Sequence, residues 1–307
     1  MQASLANWRT APFNRWAFHR VRELVPSADI ANDPGAVRAL AAHPADFLNL
    51  KIDPDSGESM GLEGFLRETD TDAMAIVHRG RLLFERYANA MTDETPHILM
   101  SVSKSMLGLL VQEIGIDTAR LVSELLPEVK STAYRDATIR DLLDMRAGIV
   151  WDENYLAASG PMVEYRKATG WNPLAPGETP SDLKTFFNTL RESKAHGGPV
   201  HYVSPNSDLL GWVVERASGR RYAELMSELV WKPVGAERSA YITVDRMGAP
   251  RCAGGMCMTL RDLARVGVWL MKEPLIDELE RAGDGAAWAQ GDLAKYFPGL
   301  PIRYRSQ

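Results

Sequence analysis

Cysteine is nearly missing: Cys252 and Cys257 are the only two in 307 residues. Two thiols cannot build a disulfide framework, and alone they are too few for a structural zinc site. The six histidines are scattered without a His-Glu-x-x-His spacing, so neither a metal nor another cofactor is expected. Apolar runs fall well short of the roughly 20 residues that cross a bilayer. The N-terminus, Met1-Gln2-Ala3-Ser4-Leu5-Ala6-Asn7-Trp8-Arg9, lacks the basic start and apolar run of a secretory signal. Basic residues do not cluster and the net charge is −5, which speaks against a nucleic-acid partner. Internal repeats and low-complexity segments are also missing. What remains is a globular composition, 45% apolar and 24% charged. The length suits one large domain or two modest ones, and a reducing cytoplasm is the simplest setting.

The first seventy or so residues carry weak periodicity and several turn signals, among them Asp53-Pro54-Asp55-Ser56-Gly57. A hairpin follows: Ala73-Met74-Ala75-Ile76-Val77-His78 runs into Arg79-Gly80, and Arg81-Leu82-Leu83-Phe84-Glu85-Arg86-Tyr87 runs back. From Ser101 the period becomes helical, with Gly115 as a stop. Further helices are expected around Ile139–Met145, Ser181–Glu192, Asp208–Ala217, Tyr222–Val230 and Leu260–Met271. Strands followed by helices imply an α+β chain with a helical subdomain. After Trp288 only Ile302-Arg303-Tyr304-Arg305 hints at a strand, so the sheet is expected to be incomplete at its C-terminal side.

The strongest chemical signal is Met100-Ser101-Val102-Ser103-Lys104-Ser105, where the strand-like Ile98-Leu99-Met100 meets an apolar helix. Residues three apart share a helix face, so Lys104 can reach the Ser101 hydroxyl. A desolvated lysine activates a serine once its pKa falls, and the helix N-terminus favours negative charge there. The spacing alone turns up about once by chance in a chain of this composition. Ser181-Asp182-Leu183-Lys184 repeats it, but Pro180-Ser181 reads as a helix N-cap. Gly57-Glu58-Ser59-Met60-Gly61 matches the lipase Gly-x-Ser-x-Gly pattern. It lacks the strand that feeds that turn and a preceding oxyanion segment, because His196-Gly197-Gly198 comes far later. An α/β-hydrolase using Ser59 remains a rival.

Four segments in order resemble the penicillin-recognising serine hydrolases, the beta-lactamase-like superfamily with its Ser-x-x-Lys motif. The Ser101 segment comes first, then Ala137–Ile149 with its closing Gly148, then Tyr202-Val203-Ser204-Pro205-Asn206-Ser207-Asp208-Leu209-Leu210-Gly211, then Ala253-Gly254-Gly255 leading into Thr259–Arg265. Within that superfamily, Pro12–Phe18, Leu24–Ala28, Asp152-Glu153-Asn154-Tyr155 and Gly170-Trp171 look like the 6-aminohexanoate-dimer hydrolases and related carboxylesterases.

The resemblance implies that Ser101 forms an acyl-enzyme, Lys104 shares its proton network, and Tyr202 is base or acid toward Ser101 and the leaving group. It also implies substrate contacts at Tyr155, on a mobile loop, and at Trp171 near its hinge. Ser204 stands where the wider superfamily has Asn. Ala253 stands where nylon-oligomer hydrolases can carry a polar residue, which weakens the case for oligoamide activity. The late Lys/His-Ser/Thr-Gly-like strand, which supplies a second oxyanion N–H, has no counterpart after Met271.

The expected architecture is therefore beta-lactamase-like, an antiparallel sheet region flanked by helices, formed by 1–119 and 275–307, plus a helical subdomain at 120–274. The expected activity is hydrolysis of a carboxylic ester or linear amide. The expected partner is that small molecule, with neither nucleic acid nor membrane involved and a homodimer left open. A rival expectation is a truncated, inactive or merely ligand-binding homologue, poorly folded as written.

Overall fold

The clearest strand signal in the sequence becomes the longest strand pair. In the computed structural model, which describes residues 2–53, 58–271 and 275–307, Ala73–His78 and Arg81–Tyr87 form an antiparallel hairpin. Arg79 (φ 51°) and Gly80 (φ 75°) both take positive φ, the turn geometry whose twist matches the strands it joins. The turn expected at Asp53–Gly57 lies, beyond Asp53, outside the described residues.

In chain order the described strands are β1 Ser27–Ile30, β2 Ala41–Ala42, β3 Lys51–Ile52, β4 Met60–Gly61, β5 Ala73–His78, β6 Arg81–Tyr87, β7 His97–Ile98, β8 Ala240–Thr243 and β9 Met256–Met258. They form a sheet of order β1-β8-β9-β7, a second of order β2-β6-β5, and the pair β3-β4. The first is antiparallel throughout: Ile30 faces Ala240, Tyr241 faces Cys257, and His97 faces Met258. Its strands come from both parts of the expected division of the chain. β8 and β9 lie inside 120–274, yet they are the middle of a sheet whose outer strands come from the first hundred residues. Every residue of both is buried, so no polar alternation marks them as strands.

The helices follow their sequence signals more closely. Val102–Ile114 buries Met106, Leu107, Leu109, Leu110 and Val111, and Gly115 ends it in a left-handed cap at φ 71°. Ile139–Leu143 starts at a capping box between Thr138 and Asp141. Ser204–Ser218 begins four residues before its expected start, because Pro205 fits a first helical turn. The expected Ser181–Glu192 helix shrinks to Leu183–Phe187, capped by Asp182 and not by Ser181. Leu260–Leu270 is capped by Thr259, which accepts from the Asp262 amide. The strand hinted at Ile302–Arg305 is only an isolated bridge between Tyr304 and Asp284.

One large apolar cluster joins these helices to the first sheet. It runs from Leu107 and Leu110 through Leu142, Phe187, Leu209 and Val213 to Ile30, Ile242 and Met256. A smaller cluster of Trp8, Val21, Ile98, Trp171 and Tyr241 packs the N-terminal segment against the other side of β7 to β9. No described helix is long and apolar enough to cross a membrane. Leu99 packs against the first cluster and Met100 against the second, so Ser101 follows where the two meet.

Candidate active site

β7 delivers the chain to Leu99, and Met100 then bends it sharply by adopting φ 46°, a left-handed conformation that costs about 1 kcal/mol or more for a non-glycine residue. Ser101 follows at the N-cap of helix Val102–Ile114, with no side-chain capping bond of its own. Its hydroxyl is left for chemistry.

Lys104, one turn on, is 2% exposed. Its Nζ donates to Ser101 Oγ at 3.1 Å and to the Ala253 carbonyl at 2.7 Å. Burial drives its pKa down to about 7, with the Glu153 carboxylate opposing and Arg251 reinforcing the shift. A lysine is normally a spent base at neutral pH. Burial shifts this one toward the neutral form, the form able to accept a proton from a neighbouring hydroxyl.

Tyr202 lies on the other side of that lysine, with Lys104 Nζ 4.9 Å from the ring centre. Desolvation raises its pKa to about 12, while its hydrogen bond with Ser101 works the other way. The phenol therefore stays protonated, suited to passing a proton and not to acting as a standing base. Tyr155 also hydrogen-bonds Ser101, and its pKa is raised, first by desolvation and then by Glu153. With 58% of its surface exposed, it leans over the serine from an open loop.

The structure thus brings Ser101, Lys104, Tyr202 and Tyr155 together. Ser204 turns away from Ser101: its Oγ donates to Glu153 at 2.5 Å and its amide to the same carboxylate at 3.0 Å. Ala253 contributes its carbonyl, not its side chain, and its amide donates to Asp208 at 2.8 Å. Trp171 is buried, donates to Thr243 Oγ1 at 3.2 Å, and forms part of the wall. Above Ser101 opens a cavity of about 440 Å³ whose lining includes Tyr155, Trp171, Ser204 and Ala253. Ser59 is exposed, next to β4, and does not line that cavity. Lys184, the partner of Ser181 in the repeated spacing, lies over the Trp212 ring instead.

Sequence reasoning passed over the charged residues that frame the site. Glu153 accepts from Trp151 and Ser204 and feels Lys104, Tyr155 and Tyr202 at once. Its only signal was its place two residues before Tyr155. Asp208, wholly buried, accepts from Tyr165, Arg251 and the Ala253 amide. Arg9 and Arg166 also line the cavity. Single charges in loops and on buried helix faces follow no period, so pattern reading does not find them.

A serine at a helix N-terminus, paired with a buried lysine on a scaffold of helices and small antiparallel sheets, defines a serine hydrolase. Comparison with known proteins makes the class specific: the chain belongs to the beta-lactamase family, whose model matches residues 63–299. It is 37% identical over 270 residues to the 6-aminohexanoate-dimer hydrolase of Paenarthrobacter ureafaciens, covering 87% of this chain and 67% of that protein. A solved structure from Bacillus anthracis, provisionally described as a 6-aminohexanoate-dimer hydrolase, superimposes with a TM-score of 0.88 at 22% identity. That match covers 100% of this chain and 83% of the other, and it shows a shared fold.

Proposed function

We propose that this chain cleaves a carboxylic ester or a linear amide through an acyl-enzyme on Ser101. The observation that carries the assignment is the Lys104 Nζ to Ser101 Oγ contact of 3.1 Å, made by a lysine whose pKa is about 7. Neutral Lys104 takes the hydroxyl proton as Ser101 Oγ attacks the scissile carbonyl. The Ser101 amide, at a helix N-terminus where first-turn donors have no intrahelical partner, faces the developing oxyanion. Collapse of the tetrahedral species breaks the C–N or C–O bond, and the proton reaches the departing atom through the Tyr202 hydroxyl. Water then adds to the acyl-enzyme, its proton returns through the same groups, and the free acid leaves with Ser101 restored.

The relative that is 37% identical takes its name from a linear amide, the dimer of 6-aminohexanoate, which supports an open-chain substrate. Tyr155, which hydrogen-bonds Ser101, would hydrogen-bond the scissile amide nitrogen. The test is covalent labelling: a fluorophosphonate or a short-chain p-nitrophenyl ester should modify Ser101, with Ser101→Ala unlabelled and inert. Peptide mapping that puts the label on Ser59 or Ser181 would refute the assignment.

A further inference from the structure

Tyr155 is 58% exposed, yet it is held at two points. Arg166 donates to its backbone carbonyl at 2.6 Å, which fixes the main chain of the loop. Its hydroxyl has two partners, Ser101 and the Glu153 carboxylate. A phenol carries one proton, and a carboxylate can only accept. The hydroxyl therefore donates to Glu153 and turns its oxygen lone pairs toward Ser101. Beside the serine it presents an acceptor, not a donor.

Glu153 is itself held in place. One carboxylate oxygen accepts from the Trp151 indole at 2.5 Å and from the Ser204 amide at 3.0 Å, and the other from the Ser204 hydroxyl at 2.5 Å. These donors are neutral, so the charge remains. Arg166 feels it, but among the described residues no cation forms an ion pair with Glu153. The charge also reaches Lys104. Glu153 and Asp208 favour the protonated form of that lysine, Arg251 opposes it, and the Tyr202 ring centre lies 4.9 Å from its Nζ. Asp208 and Arg251 pair with each other at 2.5 Å, so Glu153 is the charge of this set without a direct counter-ion.

We propose that Glu153 is a positioning residue for Tyr155: by holding the phenolic proton it fixes the hydroxyl as an acceptor at Ser101, where it takes the N–H of a scissile amide. An N–H held there leaves the nitrogen lone pair on its other side, open to the proton that Tyr202 delivers. An ester has no such N–H, so the effect belongs to amide hydrolysis. Glu153 acts through Tyr155 and exchanges no proton with the substrate. This inference rests on the acyl-enzyme reading and on the part that reading gives Tyr155.

The test compares the p-nitroanilide and the p-nitrophenyl ester of butyrate, which share an acyl group and differ in the N–H. Glu153→Gln keeps the size of the side chain. Its one oxygen can serve the Trp151 and Ser204 N–H donors, and an NH2 replaces the second acceptor. The anilide-to-ester ratio of kcat/KM should fall roughly three- to tenfold, the worth of one hydrogen bond. Glu153→Asp, which keeps the charge, should restore part of that ratio. In a Tyr155→Phe background, Glu153→Gln should leave the ratio where Tyr155→Phe alone puts it, because the two residues act as a unit. On the ester, Glu153→Gln should also move the bend in kcat/KM to lower pH, since Lys104 loses a nearby negative charge. A purely structural defect would lower the plateau and leave the bend in place. A ratio unaffected by Glu153→Gln, a ratio that falls equally in the Phe background, or an unmoved bend overturns the inference and leaves the acyl-enzyme reading standing. Absence of Ser101-dependent turnover on both substrates would sink the two together.

Discussion

At the scale of single residues, the proposed mechanism makes Lys104 the group that governs how turnover depends on pH. Acylation needs its neutral form, so kcat/KM for a neutral ester should rise about tenfold per pH unit up to a bend near 7 and level off above it. A profile flat between pH 5.5 and 8 would show that another group is the base. The same shift has a stability consequence of fixed sign. The folded-state pKa of about 7 lies below the ordinary 10.5, so the folded state binds fewer protons between those values. Stability from this residue therefore increases with pH across that window, and the full penalty is present below it. Lys104→Met should abolish turnover and yet stabilise the fold at pH 6 by up to a few kcal/mol, read from the denaturant midpoint. Tyr155 gives a sharper chemical contrast. Tyr155→Phe should slow amide hydrolysis more than ester hydrolysis, because an ester offers no N–H to hold and expels its leaving group more easily; equal losses would remove that role. Ser101, Lys104 and Tyr202 were legible in the sequence because helical spacing and four ordered motifs point at them. Glu153, Asp208 and Arg251 were not, since what makes them matter is a neighbour 43 or more residues away.

Among the elements, legibility follows the range of the pairing. The β5-β6 hairpin closes through two residues and was readable from its turn; β1 pairs with β8 across more than two hundred residues, and their short buried strands carry no alternation to announce it. The entry into β9 shows how tightly this long-range sheet is fitted. A Cβ on Gly255 would lie 2.2 Å from Thr243 Oγ1, 2.8 Å from Arg251 Cβ and 2.9 Å from the Arg251 carbonyl oxygen. Thr243 in turn holds the Trp171 indole, so pressure there reaches the cavity wall. Gly255→Ala should cost roughly 1–3 kcal/mol and reduce activity. Gly267 is the counter-case: it sits on the exposed face of helix Leu260–Leu270, where a Cβ meets nothing within 4 Å. Gly267→Ala should add about 0.5–1 kcal/mol and leave kinetics alone. Thermal unfolding of the two variants side by side checks both signs. If Gly255→Ala proves neutral, the close fit of β8 on the loop before β9 is not what the packing implies.

Across the whole molecule, one buried charge cluster ties the helical part to the sheet and, through Ala253 and Lys104, to Ser101. Asp208 projects from helix Ser204–Ser218, Tyr165 from helix Pro161–Ala168, and Arg251 from the loop before β9. The Asp208 carboxylate accepts from Tyr165 and Arg251 on one oxygen and from the Ala253 amide on the other. The carbonyl of that same Ala253 is the acceptor that holds Lys104 Nζ at 2.7 Å. Asp208 thus reaches Lys104 through a single residue, from outside the lining of the cavity over Ser101. Removing its charge leaves Arg251 buried and uncompensated. Asp208→Asn should therefore cost about 3–5 kcal/mol, the scale of a broken buried ion pair. Replacing both partners, as in Asp208→Leu with Arg251→Met, should recover much of that loss, because two apolar groups need no mutual charge. Activity should not recover with it: the Ala253 amide still lacks its anchor, so the lysine that this peptide orients is no longer fixed against Ser101. The decisive comparison is the denaturant midpoint against the pH at which kcat/KM bends, for the wild type and the double variant. Recovered stability with a displaced bend supports a positioning role for Asp208. Recovered stability with the bend unmoved near 7 would make the cluster structural only.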